Sequence, residues 1–135
     1  MTCKRSVLFK QNALTIALRN DLYFIDTQAA GIGLLGKFYM TGGVALSDSR
    51  ANVASMEVYC PYSGKWSPGP DMPRLLSGHC IVNHRDSFII IGGTNMEIGA
   101  NGEESGMIFR FNVTTISWQT LGKLHRPRTG HGCSM

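Results

Sequence analysis

The sequence lacks any uninterrupted apolar run of the length a membrane helix needs, so no membrane-spanning helix and no membrane partner are expected. Charge is also sparse. Asp, Glu, Lys and Arg make up 16% of 135 residues, and the net charge of +4 is scattered along the chain. The one local basic cluster, Lys123, His125, Arg126 and Arg128, has no aromatics interleaved, so the footprint of a nucleic-acid binder is missing. Four cysteines (Cys3, Cys60, Cys80, Cys133) lie far apart with no CxxC pair, which removes the familiar metal-site spacings. Reduced, buried or half-buried thiols are the expectation for them. The opening MTCKRSVLFKQN has a Lys-Arg pair but no hydrophobic stretch of signal-peptide length. Read literally, that gives a cytoplasmic location, with an extracellular one as the alternative if the chain is a piece of a secreted protein. Disorder is excluded by an apolar content of 43%.

What is abundant is glycine, with 16 copies, many paired or beside turn residues, which points to short strands joined by tight turns. The glycines also mark an internal repeat. KFYMTGG (37–43) is echoed by SFIIIGG (87–93), and MEVYCPYSGKW (56–66) by IFRFNVTTISW (108–118). Tyr59 and Phe111 each stand seven residues before a tryptophan, Trp66 and Trp118. Gly-His pairs then follow in PRLLSGHC (73–80) and PRTGHGC (127–133). The run 88–91 suits a strand buried on both faces. Gly42-Gly43 and Gly92-Gly93 supply a turn at positive φ and room for close packing under a neighbouring side chain. The polar loops after them are too rich in Gly, Asn and Ser for a core element. Strands are expected next at 56–59 and 108–111, with hairpin turns at Ser63-Gly64 and Thr114-Thr115. The Gly-His pairs open the following sheets. Each unit of about fifty residues therefore holds four short antiparallel strands.

Paired glycines, a tyrosine-like aromatic, a tryptophan seven on, then arginine and Gly-His resemble the kelch repeat. The resemblance covers roughly residues 28–135. It implies an all-β fold, a kelch-type β-propeller fragment of about two four-stranded blades with partial flanking blades. The expected division is 1–27 as an N-terminal segment or degenerate partial blade, 28–76 as repeat 1, 77–128 as repeat 2, and 129–135 as the start of a further strand. The repeat framework is Gly42, Gly43, Tyr59, Trp66, His79, Gly92, Gly93, Phe111, Trp118, Arg128 and His131. Two positions depart from the pattern: Leu76 stands where Arg128 has its counterpart, and Phe111 replaces a tyrosine. Because a closed propeller needs more blades, the chain reads as a piece of a longer propeller or as a unit whose copies self-assemble to complete one.

By resemblance the function is protein–protein interaction, a scaffold or adaptor such as those that recruit substrates to ubiquitin ligases or associate with actin. No cofactor, metal or catalytic residue is expected, and the protein partner carries no identity. The candidate partner-binding residues lie in two loops that differ while the framework repeats: Asp48, Arg50 and Asn52 in the first, and Asn95, Glu97, Glu103 and Glu104 in the second. Arg74, Arg126 and Arg128 could also anchor a carboxylate. His79 and His131 read as structural, bonded to backbone near the start of an inner strand. One alternative is an enzyme such as a copper radical oxidase, with Tyr59, Cys60, Tyr62 and the two histidines as the residues to watch. The other is a non-functional structural fragment. Cys80 and Cys133 recur at nearly the same repeat position and would pair in an oxidising setting. Asn112-Val113-Thr114 matches the glycosylation acceptor pattern.

Overall fold

A computed structural model describes residues 29–44, 54–95 and 103–134. The N-terminal segment or degenerate partial blade expected over residues 1–27 lies outside the described residues. The first sheet has the order β1(Ala30–Leu34), β2(Lys37–Thr41), β3(Met56–Cys60), β4(Lys65–Gly69), all antiparallel. The second is built the same way from β5(Cys80–His84), β6(Ser87–Ile91), β9(Met107–Asn112) and β10(Ser117–Lys123). Between β6 and β9 lies a two-stranded ribbon, β7(Thr94–Asn95) and β8(Glu103–Glu104). The ribbon sits within a loop whose composition pointed away from regular structure. Backbone pairing with Ser77 on its other side stabilises it, because Ser77 and Thr94 exchange both N–H···O bonds, at 3.1 and 2.8 Å. Among the described residues there is no helix, hence none long and apolar enough to cross a membrane.

Turn chemistry sets the register. Leu35 and Gly36 both take positive φ (48° and 79°), the two-residue hairpin whose twist matches that of the strands it joins. The outer hairpins turn through 61–64 and 113–116. Their last turn positions are left-handed, filled by Gly64 in one copy and by Ile116 in the other.

The core is the seam between the two sheets. Phe88, Phe111 and Trp118 lie side by side across three strands of the second blade, with centroids 5.1–5.7 Å apart. Tyr39 of the first blade packs on Phe88 at 5.4 Å and on Phe111 at 6.4 Å. Met56, Met72, Leu76, Ile90 and Phe109 fill the rest of this buried cluster. Burying side chains of this size stabilises by roughly 1.5–3 kcal/mol each. The first blade turns its own trio, Phe38, Tyr59 and Trp66, to its opposite face, where Phe38 and Tyr59 are also buried.

Residues alternate along a strand, so the face of the second blade turned away from the first carries Ile89, Ile91, Ile108 and Arg110. Ile89 and Ile91 are half-buried, so β6 is covered fully on one face and not on both as its composition suggested. Arg110 there bonds Ser87 Oγ at 2.9 Å and pairs with Asp86 at 3.7 Å. The first blade has Val58 and Gly36 at those two positions.

The candidate functional site

The repeated histidines are held by packing. Each ring lies against the first glycine of the pair one repeat earlier. A Cβ at Gly42 would meet the His79 ring at 2.7 Å and collide with the Leu76 carbonyl; one at Gly92 would meet the His131 ring at 2.7 Å and the Arg128 carbonyl at 2.5 Å. The second glycine of each pair donates its N–H to the same carbonyl, Gly43 to Leu76 at 2.8 Å and Gly93 to Arg128 at 2.7 Å. Positions 76 and 128 therefore serve the repeat through their main chains. That is why leucine replaces arginine without loss of the turn: Leu76 fills the core, and Arg128 extends into solvent.

His79 bonds a side chain, not backbone as its repeat position suggested: its Nε2 lies 2.8 Å from Thr41 Oγ1. The Thr41 hydroxyl gives its one proton to the Ala30 carbonyl (3.2 Å), so Nε2 of His79 is the donor and its Nδ1 is bare. That Nδ1 is buried with no partner. Burial, reinforced by the nearby His131, pushes the His79 pKa down to about 4 and keeps the ring neutral. His131 makes no hydrogen bond from either ring nitrogen, since Ile91 stands where the first repeat has Thr41.

The cysteine expectation is corrected. Cys80 and Cys133 form a disulfide that ties the first strand of the second blade to the segment following it, and Cys60 is disulfide-bonded as well. The further strand expected to begin at 129 is not formed over 129–134. Bonds from Gly130 N–H to the Gly78 carbonyl (2.8 Å) and from Thr94 Oγ1 to Thr129 Oγ1 (2.8 Å) hold that segment beside the second blade.

The oxidase residues do not converge. Tyr59 packs on Trp66 at 5.1 Å, Cys60 is bonded, and Tyr62 is 70% exposed in a turn. Among the described residues no three His, Cys, Asp or Glu come together as a metal-holding group. Asn112 is a turn former: its Oδ1 accepts from the Thr114 and Thr115 N–H groups (2.8 and 3.0 Å), and its Nδ2 donates to Asp86 at 3.2 Å. Its amide is engaged at both ends.

Part of the second candidate loop lines a groove. Asn95, Glu103 and Glu104 line one groove of about 270 Å³ with Arg74 and Lys123. Its apolar lining is Leu76, Met107, Leu124 and Pro127. Pairing of Asn95 with Glu103 in the β7–β8 ribbon sets these side chains next to one another. Asn95 Oδ1 is buried without a donor. No ion pair between described residues involves Arg74, Lys123, Glu103 or Glu104. Sequence reading singled out the three loop residues and Arg74. It missed Lys123 and the apolar lining, because their approach depends on the return of residues 123–127 beside Gly106, fixed by Leu124 N–H to the Gly106 carbonyl at 2.7 Å. Arg126 and Arg128 are exposed outside this lining. Asp48, Arg50, Asn52 and Glu97 lie outside the described residues.

No protein-family model matches the chain. It is 26% identical over 106 residues to Kelch-like protein 40 of Mus musculus, covering 78% of this chain and 16% of that protein. It is 30% identical over 95 residues to an F-box/kelch-repeat protein of Arabidopsis thaliana, covering 70% and 23%. Beta-scruin of Limulus polyphemus matches at 28% over 95 residues, 68% of this chain and 10% of that protein. The chain thus spans less than a quarter of the length of these relatives. Among solved structures, that of YjhT is similar with a TM-score of 0.65 at 18% identity, over 79% of this chain and 39% of that one, a likeness of fold. Two glycine pairs capped by histidines, two aromatic trios one repeat apart and two sheets of identical strand order agree with these relatives: the chain belongs to the kelch-repeat β-propeller family.

Proposed function

We propose that this chain is a non-catalytic binding module that takes a protein segment in the groove between Arg74, Asn95, Glu103, Glu104 and Lys123. The observation that carries this reading is the groove's state of charge and bonding. Among the described residues it presents two cations, two anions and a buried acceptor, Asn95 Oδ1, with no hydrogen bond or ion pair from these side chains to any described residue. A buried acceptor without a donor costs about 1–3 kcal/mol, and a ligand N–H would recover that. Met107, Leu124 and Pro127 give an incoming side chain an apolar seat. The blades behind the groove are rigid sheets, the setting in which loop residues can act as a binding surface. The names of the relatives, two of them kelch proteins, support the same class of role.

A photoreactive phenylalanine at position 103 of the full chain tests this in cell extract. Polypeptide adducts should form there, fail to form from exposed position 119, and fall several-fold in Arg74→Glu/Lys123→Glu. Equal labelling from both positions, undiminished by the charge reversals, defeats the reading.

A further inference from the structure

A second recess lies away from the loop groove, along the outer seam between the blades. It measures about 190 Å³ and has Met56, Val58, Phe111 and Val113 in its lining. Lys37 and Ile116 line it at the hairpin end. Among the described residues Lys37 is the only charged one of the lining, and it makes no ion pair with any of them. Tyr39, held as a neutral phenol because burial raises its pKa, lines it too.

Ile116 supplies an independent observation. It sits at φ 54°, a backbone region that β-branched residues avoid, and its side chain is 63% exposed. The other outer hairpin uses Gly64 there, at φ 67°. Glycine would fit the turn without strain, so a large apolar side chain is being kept in an unfavourable conformation beside an apolar recess. Retained strain of this kind is characteristic of ligand clamps.

We propose that this inter-blade recess is a second docking site, which takes one aromatic or large aliphatic side chain of an acidic protein segment and places a neighbouring carboxylate on Lys37. Val58 and Val113 contact the side chain, with the buried Met56 and Phe111 behind them, and Ile116 closes over it. A single cation with no anion among the described lining residues selects acidic over basic sequences by charge complementarity. A recess the size of one side chain, set between two sheets, suits a protruding residue better than a flat lipid surface. The site does not depend on the loop groove for its geometry or its ligand.

The test is titration of the full chain with the capped tripeptides Glu-Phe-Glu and Lys-Phe-Lys, followed by methyl NMR. At about 5 mM peptide a site with Kd near 1 mM is mostly filled. The acidic peptide should shift the Val58, Val113 and Ile116 methyls and leave Val82 and Ile89 in place, and the basic peptide should shift none. Lys37→Met should weaken the acidic peptide about three- to fivefold. High salt should weaken it on the unaltered chain too, which keeps the charge claim testable if the variant folds poorly. Equal response to both peptides, no response at the seam methyls, or binding to phosphatidylserine vesicles in place of the acidic peptide would overturn the proposal. Loss of labelling at position 103 would leave this titration unaffected, so the two sites fail separately.

Discussion

Gly64 and Ile116 occupy the same place in the two outer hairpins, at φ 67° and 54°, one without a side chain and one with a β-branched side chain. The left-handed region costs an L-residue roughly 1–2 kcal/mol, and glycine gives back about 0.5–1 kcal/mol through its unfolded-state freedom. Ile116→Gly should therefore raise stability by about 0.5–1 kcal/mol in a urea titration while weakening the acidic tripeptide. A drop in stability would show that Ile116 contributes more by packing than the turn loses by strain.

Gly64 and Gly92 separate two costs that sequence inspection merges. Gly64 and Gly92 share nearly the same φ, yet a Cβ at Gly64 meets nothing within 4 Å whereas one at Gly92 meets the Arg128 carbonyl and the His131 ring. Gly64→Ala should cost about 1 kcal/mol, the conformational term alone. Gly92→Ala adds a backbone collision and should cost at least about 2–3 kcal/mol. Paired denaturation curves decide this, and equal losses would contradict the packing described for His131.

His79 makes stability depend on pH in a defined direction. Its folded pKa lies near 4, below the ordinary 6.5, so the unfolded chain binds the proton more readily. The contribution is complete above pH 6.5 and is lost as pH falls from there toward 4, with a ceiling of about 3 kcal/mol. His79→Gln should flatten the fall in Tm across that interval. An unchanged slope in the variant would assign the acid sensitivity to other groups.

The Cys80–Cys133 disulfide closes a loop of more than fifty residues. Cys133→Ser should cost about 2–4 kcal/mol by releasing that constraint on the unfolded chain. Limited proteolysis should then cut first within 129–134, the segment held otherwise by a few hydrogen bonds. An unchanged cleavage order would show that those bonds suffice.

Much of the fold was legible in the residues themselves. Turn chemistry located the hairpins at Ser63-Gly64 and Thr114-Thr115, and the spacing of Trp66 from Trp118 and of His79 from His131 disclosed two equivalent sheets. The inference that paired glycines allow close packing under a neighbour matched the histidine rings on Gly42 and Gly92. What escaped was whatever depends on a main chain or a distant segment. The framework role of Arg128 resides in its carbonyl, which no side-chain pattern encodes. The β7–β8 ribbon forms because Ser77 offers a backbone partner, a fact invisible in TNMEIGANGEES alone. At the groove beside Asn95 the loop residues stood out by their divergence, while Leu124 and Pro127 reach it only after the chain has folded back.

The Arg110–Asp86 pair has a consequence for assembly order. The first blade presents Val58 and Gly36 to its neighbour where the second presents a guanidinium and a carboxylate. Sheets of one architecture but unlike outer chemistry cannot trade places, because a sheet suited to the first seam would strand those charges against hydrocarbon. Tandem similarity normally invites neighbouring units to mispair as they fold. A two-residue polar mark on one blade and not the other is a difference that works against such mispairing.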